Sequence, residues 1–474
     1  MSSVMEKTLK TAKKWKLPHV FVILVFLILL STLLTYLVPA GQFDRVKDAA
    51  GKTMVDPDSF HFVENKPVSF LNVPKFIFDA IVAAAGTVFM VMISTACIDV
   101  LLSTGAFDIA MKKLIVKFKG KEITLILIAI TLFTLMGLRQ NSMTLVGYVP
   151  LMVLLCRLCG YDALCGAAII IIGAGGSYSV GALSIAITAV AQDLAGLPAF
   201  SGLGYRLICT AVIVIIGTIY LIRYGKKVKQ DPKNSIVYEL ECAEQNSGSQ
   251  AADIEHEKMT VRHWGVVIAF FISYVTVAYG AIVLGWGNGD IAGHYLGLAI
   301  IGGFIGGLSF SDISKNFAKG AAKMTTACLM IGIAGTISRI MAAGVIIDTI
   351  VNSLVSVLNI FPAFFHPAMM YVLNSVVNVF ITSGSGQAAV VMPLFIPAAD
   401  IVGMTRQTCV LAFNFGDGFS NFLIPTSAAL MGNIMAAGVT LPQWCKFFWK
   451  LFLIWSATAM VLVTIAQMIH YGPL

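Results

Sequence analysis

Residues 382–387 read Thr-Ser-Gly-Ser-Gly-Gln and interrupt an apolar stretch that extends from residue 362 to residue 400. Glycine and polar residues at membrane depth disfavour a continuous spanning helix, and irregular backbone is tolerated there only inside protein or beside water. The stretch therefore predicts a hairpin that enters and leaves the membrane by one side. A second apolar stretch, 123–156, is interrupted by Arg-Gln-Asn-Ser at residues 139–142 and predicts another such hairpin.

The composition is that of a polytopic membrane protein. Of the 474 residues, 58% are hydrophobic and 12% are charged, whereas a soluble protein carries about 25% charged residues. Apolar runs of about 20 residues, each long enough to cross the hydrocarbon core, recur along the chain. We predict an all-α fold with full spans at residues 17–38, 76–104, 163–195, 203–223, 264–286, 295–311, 324–348, 407–434 and 448–470.

The positions of lysine and arginine predict the orientation, because basic residues near span ends are retained in the cytoplasm. Basic clusters occur at residues 7–16, 112–121, 223–233, 315–323 and 446–450. All of them lie inside if the N-terminus is inside, and the loops at 40–75 and 287–294 then lie outside. We expect a multi-pass protein of the cell inner (plasma) membrane with a cytoplasmic N-terminus.

Shifting the sequence by 243 positions reveals a weak internal repeat. The matches are residues that set backbone breaks: Ser142 with Ser385, Pro150 with Pro393, Gly173 with Gly416, Gly175 with Gly418, Ser177 with Ser420 and Ser184 with Ser427. Residues 1–223 form the predicted first repeat, 224–263 a flexible cytoplasmic linker, 264–286 a linking span, and 287–474 a second repeat that the extra span inverts. Inverted repeats, each with a re-entrant hairpin and a broken helix, are typical of secondary transporters.

Polar residues at the hairpin tips and helix breaks are the candidate site residues. Freed carbonyls, hydroxyls and amides there suit a small cation, and helix N-termini suit an anion. Arg139 is the candidate for a substrate carboxylate, since a guanidinium at membrane depth normally faces a cavity or a partner. The predicted substrate-binding residues are Arg139, Gln140, Asn141, Ser142, Ser383, Ser385, Gln387, Thr426 and Ser427, and the predicted cation-coupling residues are Ser177, Ser179, Asn414, Asp417 and Asn421.

Two alternatives stay open at these positions. Serine and glycine also allow close helix packing in membranes, and Arg139 also suits the wet mouth of a shallow loop, balanced by an acidic neighbour. Asp417 is the acidic residue most firmly placed in a predicted break, and few carboxylates share its depth. Sodium is therefore the expected coupling ion in preference to protons, which need titratable groups.

Other functional classes lack their usual signatures. Cys156 and Cys159 have Cys-x-x-Cys spacing, but no second pair or histidine cluster accompanies them. No catalytic motif is visible, and the basic residues form short clusters between spans, not one nucleic-acid-binding face. We expect no catalytic residue, no bound metal or cofactor other than Na⁺ as a coupling ion, and no nucleic-acid partner. A channel is less well supported, because no continuous polar lining is evident.

Several stretches resemble the YfcC-like branch of the C4-dicarboxylate anaerobic carrier (DcuC) family, within the ion transporter superfamily. They are Tyr-Leu-Val-Pro-Ala-Gly-Gln-Phe-Asp-Arg at 36–45, Ser-Gly-Ser-Gly-Gln-Ala at 383–388, Arg-Gln-Thr at 406–408, Gly-Asp-Gly at 416–418 and Ile-Pro-Thr-Ser at 424–427. The resemblance implies a bacterial inner-membrane secondary carrier of small carboxylates or amino acids. It also implies a homodimer whose hairpin tips and broken helices form the sites.

The first half departs from the pattern of that family. Members commonly show an acidic pair after the first-hairpin glycine, where this chain has Leu-Arg-Gln at 138–140, and Asn-Pro-Phe at the first broken helix, where it has Tyr-Ser-Val at 178–180. Some relatives are labelled basic amino-acid exchangers, and Arg139 disfavours a cationic substrate. We therefore expect an ion-coupled symporter or exchanger of small organic anions or amino acids, such as C4-dicarboxylates. A basic amino-acid antiporter of the arginine/ornithine type is the alternative.

The inverted arrangement predicts opposite accessibility for two matched positions. Lys121 and Phe364 lie at the mouths of the first and second hairpins. In a background without the native cysteines, we expect Lys121→Cys to react with a membrane-impermeant maleimide only from the cytoplasm, and Phe364→Cys only from outside. Labelling of both positions from one face would exclude the inverted arrangement.

Overall fold

The computed structural model describes residues 20–47, 53–55, 59–117, 121–246, 259–358 and 360–472, and these residues are almost entirely helical. Within them, five helices are long and apolar enough to cross a membrane: Ala85–Leu102, Ala163–Val180, Leu203–Gln230, Ala363–Phe380 and Leu441–Met468. A pair bent by 43°, Phe310–Thr326 with Cys328–Ala343, is a further candidate. An all-α polytopic membrane fold is therefore confirmed, while the inversion of the repeats and the domain boundaries stay predictions.

The first half contains eleven α-helices among its described residues. They are α1 (Val20–Leu37), α2 (Val73–Ala83), α3 (Ala85–Leu102), α4 (Ala106–Lys117), α5 (Glu122–Gly137), α6 (Val149–Leu158), α7 (Ala163–Ile170), α8 (Gly176–Val180), α9 (Val190–Leu194), α10 (Leu203–Gln230) and α11 (Tyr238–Asn246). Shorter 3₁₀ helices occur at Phe70–Asn72, Ser142–Tyr148 and Pro232–Asn234, and π-helical turns at Ile171–Gly175 and Ile185–Ala189.

The described residues of the second half form ten more α-helices and one 3₁₀ turn, Ala363–Phe365. The helices are α12 (Val261–Val283), α13 (Asn288–Ile305), α14 (Phe310–Ala334), α15 (Thr336–Ala343), α16 (Ile347–Leu358), α17 (His366–Phe380), α18 (Gly384–Ile401), α19 (Arg406–Ser420), α20 (Ala428–Ala436) and α21 (Leu441–Met468).

The structure has a helix break at both predicted interruptions, and the re-entrant course of the two stretches stays a prediction. Residues 138–141 separate α5 from the 3₁₀ helix that leads into α6, and residues 381–383 separate α17 from α18. The arms of the second hairpin are joined near its tip, because the Gln387 amide donates to the Asn374 backbone oxygen at 3.0 Å. The bond links the two arms directly, since Asn374 lies in α17 and Gln387 lies in α18.

One outer-loop prediction is wrong. Residues 288–294 belong to α13, which begins at Asn288 and not near residue 295. The cause is an N-terminal cap, since the Asp290 carboxylate accepts from the Gly287 backbone N–H at 2.9 Å. This cap starts the helix within a polar stretch that hydropathy does not register as part of a span.

The segment predicted as a flexible linker is ordered over residues 224–246; residues 247–258 lie outside the described part of the chain. Helix α10 continues to Gln230, and α11 follows. The segment is held by Asp162, a buried carboxylate that accepts from the Tyr224 hydroxyl and the Ser235 hydroxyl, both at 2.6 Å. Arg157 of α6 pairs with Glu241 of α11 at 2.9 Å. Composition alone misses these long-range partners.

The loop between α1 and α2 carries two short antiparallel pairs, β1 (Gly41–Gln42) with β4 (His61–Phe62), and β2 (Arg45–Lys47) with β3 (Thr53–Val55). It is fastened to the second half of the chain. The Phe43 N–H donates to the Asp348 carboxylate at 3.2 Å, and the Thr349 hydroxyl donates to the Pro39 carbonyl at 2.9 Å.

We expect Tyr224→Phe to lower the free energy of unfolding by about 1–3 kcal/mol, because it removes a donor to buried Asp162 and leaves the Ile236 N–H without its acceptor. The measurement is the thermal unfolding midpoint of the purified protein in detergent. Tyr279→Phe is the control, since Tyr279 is half exposed and should change the midpoint little. Equal effects of the two substitutions would contradict the assigned role of Asp162.

Candidate functional site

Four interrupted segments meet at one small cavity. Its volume is about 40 Å³, which is more than the ~10–15 Å³ needed to hold one water molecule. Its lining residues come from both hairpin tips and both broken helices: Asn141, Ser142, Gly175, Tyr178, Ser179, Ile187, Thr382, Gly384, Asp417, Gly418, Asn421, Phe422 and Ala429. Segments that are far apart in the sequence therefore contribute to a single polar site.

Asp417 is the only charged side chain among the described residues that line the cavity. It is 2% exposed, and its Oδ1 accepts a long hydrogen bond of 3.5 Å from the Asn421 amide. A carboxylate buried with so little compensation is costly unless a cation or a proton accompanies it. The cavity can therefore supply a carboxylate ligand to a cation.

Helix N-termini surround the same space. Ser142 begins the 3₁₀ helix of the first hairpin, Gly384 begins α18, and Ala429 lies in the first turn of α20, and all three line the cavity. The positive ends of helix dipoles and free backbone N–H groups favour an anionic group. In the described part of the chain, the buried Ser142 hydroxyl has no hydrogen-bond partner, so it is available to a ligand.

Side-chain caps hold these helix starts in place. Asn141 accepts from the Met143 N–H at 3.0 Å, Ser383 from the Gly386 N–H at 3.4 Å, and Ser427 from the Leu430 N–H at 3.3 Å. Each of these three predicted substrate residues thus has a local capping role. Of the three, only Asn141 also lines the cavity.

The breaks lie a few residues from where the glycines suggested. Helix α19 is continuous through Asn414 and Asp417, and the chain leaves it after Ser420. In the first half, Gly173 and Gly175 lie in a π-helical turn, and the helix ends before Gly181, whose φ is +70°. A π-helical turn of this kind is frequent at functional sites.

Close packing explains one of the misread glycines. A Cβ on Gly418 would overlap the Ser179 side chain, so this glycine allows α19 to approach α8 across the cavity. Glycine at such a contact is a packing requirement and not a helix break.

Of the predicted site residues, the structure brings Asn141, Ser142, Ser179, Asp417 and Asn421 together around the cavity. The others do not line it: Arg139, Gln140, Ser177, Ser383, Ser385, Gln387, Asn414, Thr426 and Ser427. Gln140 instead donates to the Val277 carbonyl at 3.4 Å, and Asn414 contacts Arg206 and Thr188. The binding roles of all these residues stay predictions.

Three residues in or near the site are missing from the predicted set. Tyr178 and Thr382 line the cavity, although neither was chosen as a site residue. Arg206 is fully buried, and its Nη1 donates to the Val180 carbonyl and to Asn414 Oδ1, each at 2.8 Å. The sequence did contain a signal for Arg206, which is the fourth residue of the predicted span 203–223. An arginine within a span is a functional candidate in a membrane protein.

A family model described as C4-dicarboxylate anaerobic carrier (DcuC) matches residues 17–468. The chain belongs to the DcuC family. This result confirms the resemblance seen in the sequence. The family is one of membrane carriers, so this DcuC-family chain is a membrane-spanning transporter and not an enzyme.

Two relatives match this chain over nearly their whole length. An Escherichia coli K12 protein named "Putative basic amino acid antiporter YfcC" is 29% identical over 99% of this chain and 100% of its own length. An uncharacterized protein from Haemophilus influenzae is 25% identical, over 92% of this chain and 94% of its own.

Two transporter structures are similar at a TM-score of 0.43. The YdaH transporter of Alcanivorax borkumensis is 14% identical and covers 96% of this chain and 100% of its own. MtrF of Neisseria gonorrhoeae, described within a class of antimetabolite efflux pumps, is 16% identical and covers 96% of both chains.

We expect Gly418→Ala to lower the free energy of unfolding by about 1–3 kcal/mol, because the added methyl group forces α8 and α19 apart at the cavity. Gly293→Ala is the control, since a Cβ there meets nothing within 4 Å. Thermal unfolding midpoints in detergent compare the two. A Gly418→Ala protein as stable as the control would show that the close approach of α8 and α19 is not required.

Proposed function

We propose that this chain is a cation-coupled secondary carrier of a small carboxylate-bearing solute, either an organic acid such as a C4-dicarboxylate or an amino acid. It works in the cell inner membrane with its N-terminus in the cytoplasm, and as a homodimer. The observation that carries this proposal is the juxtaposition of the Asp417 carboxylate with three helix N-termini around one cavity.

The two kinds of group divide the cavity between opposite charges. Asp417, with the Asn421 amide and the Ser179 hydroxyl, offers the hard oxygen ligands that Na⁺ accepts. The N-termini at Ser142 and Gly384 offer N–H groups to a carboxylate. A solute and its coupling ion can therefore neutralise each other and the site together, which lowers the cost of moving charge through lipid.

The position of the cavity supports a carrier mechanism. The cavity lies between the two hairpin tips, with Asn141 of the first and Thr382 of the second among its lining residues. A site formed by paired hairpins and broken helices is typical of alternating-access carriers.

Basic amino-acid antiport is the second candidate, and one observation favours it. Arg139, which argued against a cationic substrate, does not line the cavity, and the only charged lining residue in the described part of the chain is acidic. The printed name of the Escherichia coli relative points in the same direction. An arginine or ornithine side chain would then take the place of the coupling ion at Asp417.

Counterflow into liposomes tests the two candidates. Purified protein should exchange labelled succinate or aspartate. An inward Na⁺ gradient should raise the initial rate above that of a control in which K⁺ replaces Na⁺. Exchange of arginine or ornithine without any carboxylate would refute the first candidate and support the second. Flux that shows no counterflow would indicate a channel.

Two aspartate variants complete the same experiment. Asp417→Asn should abolish the Na⁺ stimulation or raise the half-saturating Na⁺ concentration by about tenfold or more, because a charged ligand is lost. Asp400→Asn should retain it, since Asp400 is paired with Arg406 at 2.8 Å and does not line the cavity. If both variants keep normal stimulation, Asp417 is not the cation ligand.

A further inference from the structure

Arg206 is a buried cation that the proposed substrate and ion sites do not use. It lies in the first turn of α10 with no exposed surface. Its Nη1 donates to two uncharged acceptors, the Val180 carbonyl and Asn414 Oδ1. The side chain of Tyr471 also lies beside the guanidinium and adds no charge to balance it.

The charge of Arg206 needs an explanation of its own. A glutamine amide also has two N–H donors, and burying it costs much less than burying a guanidinium. If two hydrogen bonds were the whole requirement, a neutral side chain would meet it at lower cost. The positive charge is therefore part of what the site requires.

The group that requires it is the carbonyl end of a helix. The helical run Ala163–Val180 ends inside the protein, and Gly181 turns the chain with a φ of +70°. The last carbonyls of a helix lack N–H partners and carry the negative end of its dipole. A guanidinium bonded to the final carbonyl, that of Val180, satisfies this acceptor and also offsets the negative end of the helix dipole.

The same nitrogen connects this helix end to the second broken helix. Val180 directly follows Ser179, and Asn414 precedes Asp417 by one turn of α19; Ser179 and Asp417 both line the cavity. The Asn414 amide also donates to Thr188 at 3.0 Å, on the far side of the first break. Both sides of that break are thus held to α19 through Asn414.

We propose that Arg206 is a positioning residue that clamps the end of α8 to Asn414 and so sets the spacing of Ser179 and Asp417 across the cavity. It contacts neither solute nor ion in this arrangement. The inference rests on the proposed function only for the experiment that measures transport.

Hydrogen exchange measured by mass spectrometry tests the clamp without any substrate. In Arg206→Met, amides of residues 181–189 should exchange about tenfold faster or more, because two hydrogen bonds from a charged donor are lost. Amides of α12 should be unchanged. Arg157→Met is the matched control: it removes the ion pair with Glu241 and should leave residues 181–189 as in the wild type. If Arg206→Met does not fold, Asn414→Ala removes one acceptor and should give the same local change.

Counterflow provides the second readout. Arg206→Met should raise the half-saturating solute concentration by about tenfold, and Arg206→Lys should recover part of that loss because it keeps the charge. A residue needed only for folding would lower the maximal rate instead. Unchanged exchange at 181–189, or faster exchange throughout the protein including α12, would overturn the proposal. If the wild type transports none of the solutes, the proposed function fails while the exchange result still decides the role of Arg206.

Discussion

Every backbone N–H and C=O group that leaves a helix at membrane depth must find a partner inside the protein, and this requirement governs how the chain is arranged. The chain leaves its helices at 138–141, 181–184, 381–383 and 421–427. Capping side chains at Asn141, Ser383 and Ser427 accept hydrogen bonds from backbone N–H groups at the starts of three of the helices that follow. A guanidinium satisfies the helix end at Val180. Because each break is shielded by protein and not by lipid, the four breaks lie together.

Where the four breaks meet, the site has both a positive and a negative electrostatic region. Helix N-termini are positive and Asp417 is negative when ionised, and both line the same cavity. The same close approaches that shield the backbone, such as Gly418 against Ser179, also keep the cavity narrow. Shielding of the backbone and a narrow cavity are therefore two results of one packing arrangement.

The sequence predicts the architecture well because hydropathy and backbone-breaking residues are local signals. Thr382 to Gln387 locate the second hairpin tip correctly, and the excess of apolar residues identifies the membrane class. The chemistry of individual side chains is harder to predict. Gly416 and Gly418 read as a break, yet α19 continues through them, because a glycine that opens a helix and one that admits a neighbouring helix look alike in one sequence. The two arginines pose the same difficulty. Hydropathy gives the depth of Arg139 and Arg206, but it does not show which partner each side chain contacts.

The attachment of the loop between α1 and α2 to α16 sets an order of events during biosynthesis. Phe43 and the carboxylate it contacts, that of Asp348, are 305 residues apart, so at ~5–20 residues per second the ribosome needs about 15–60 s to produce the partner. For that interval the docking surface on α16 does not yet exist. The polar composition of the loop, with Asp44, Arg45 and Lys47 close together, keeps it soluble while it waits. Docking of this loop therefore waits until α16, in the second half of the chain, has been synthesised.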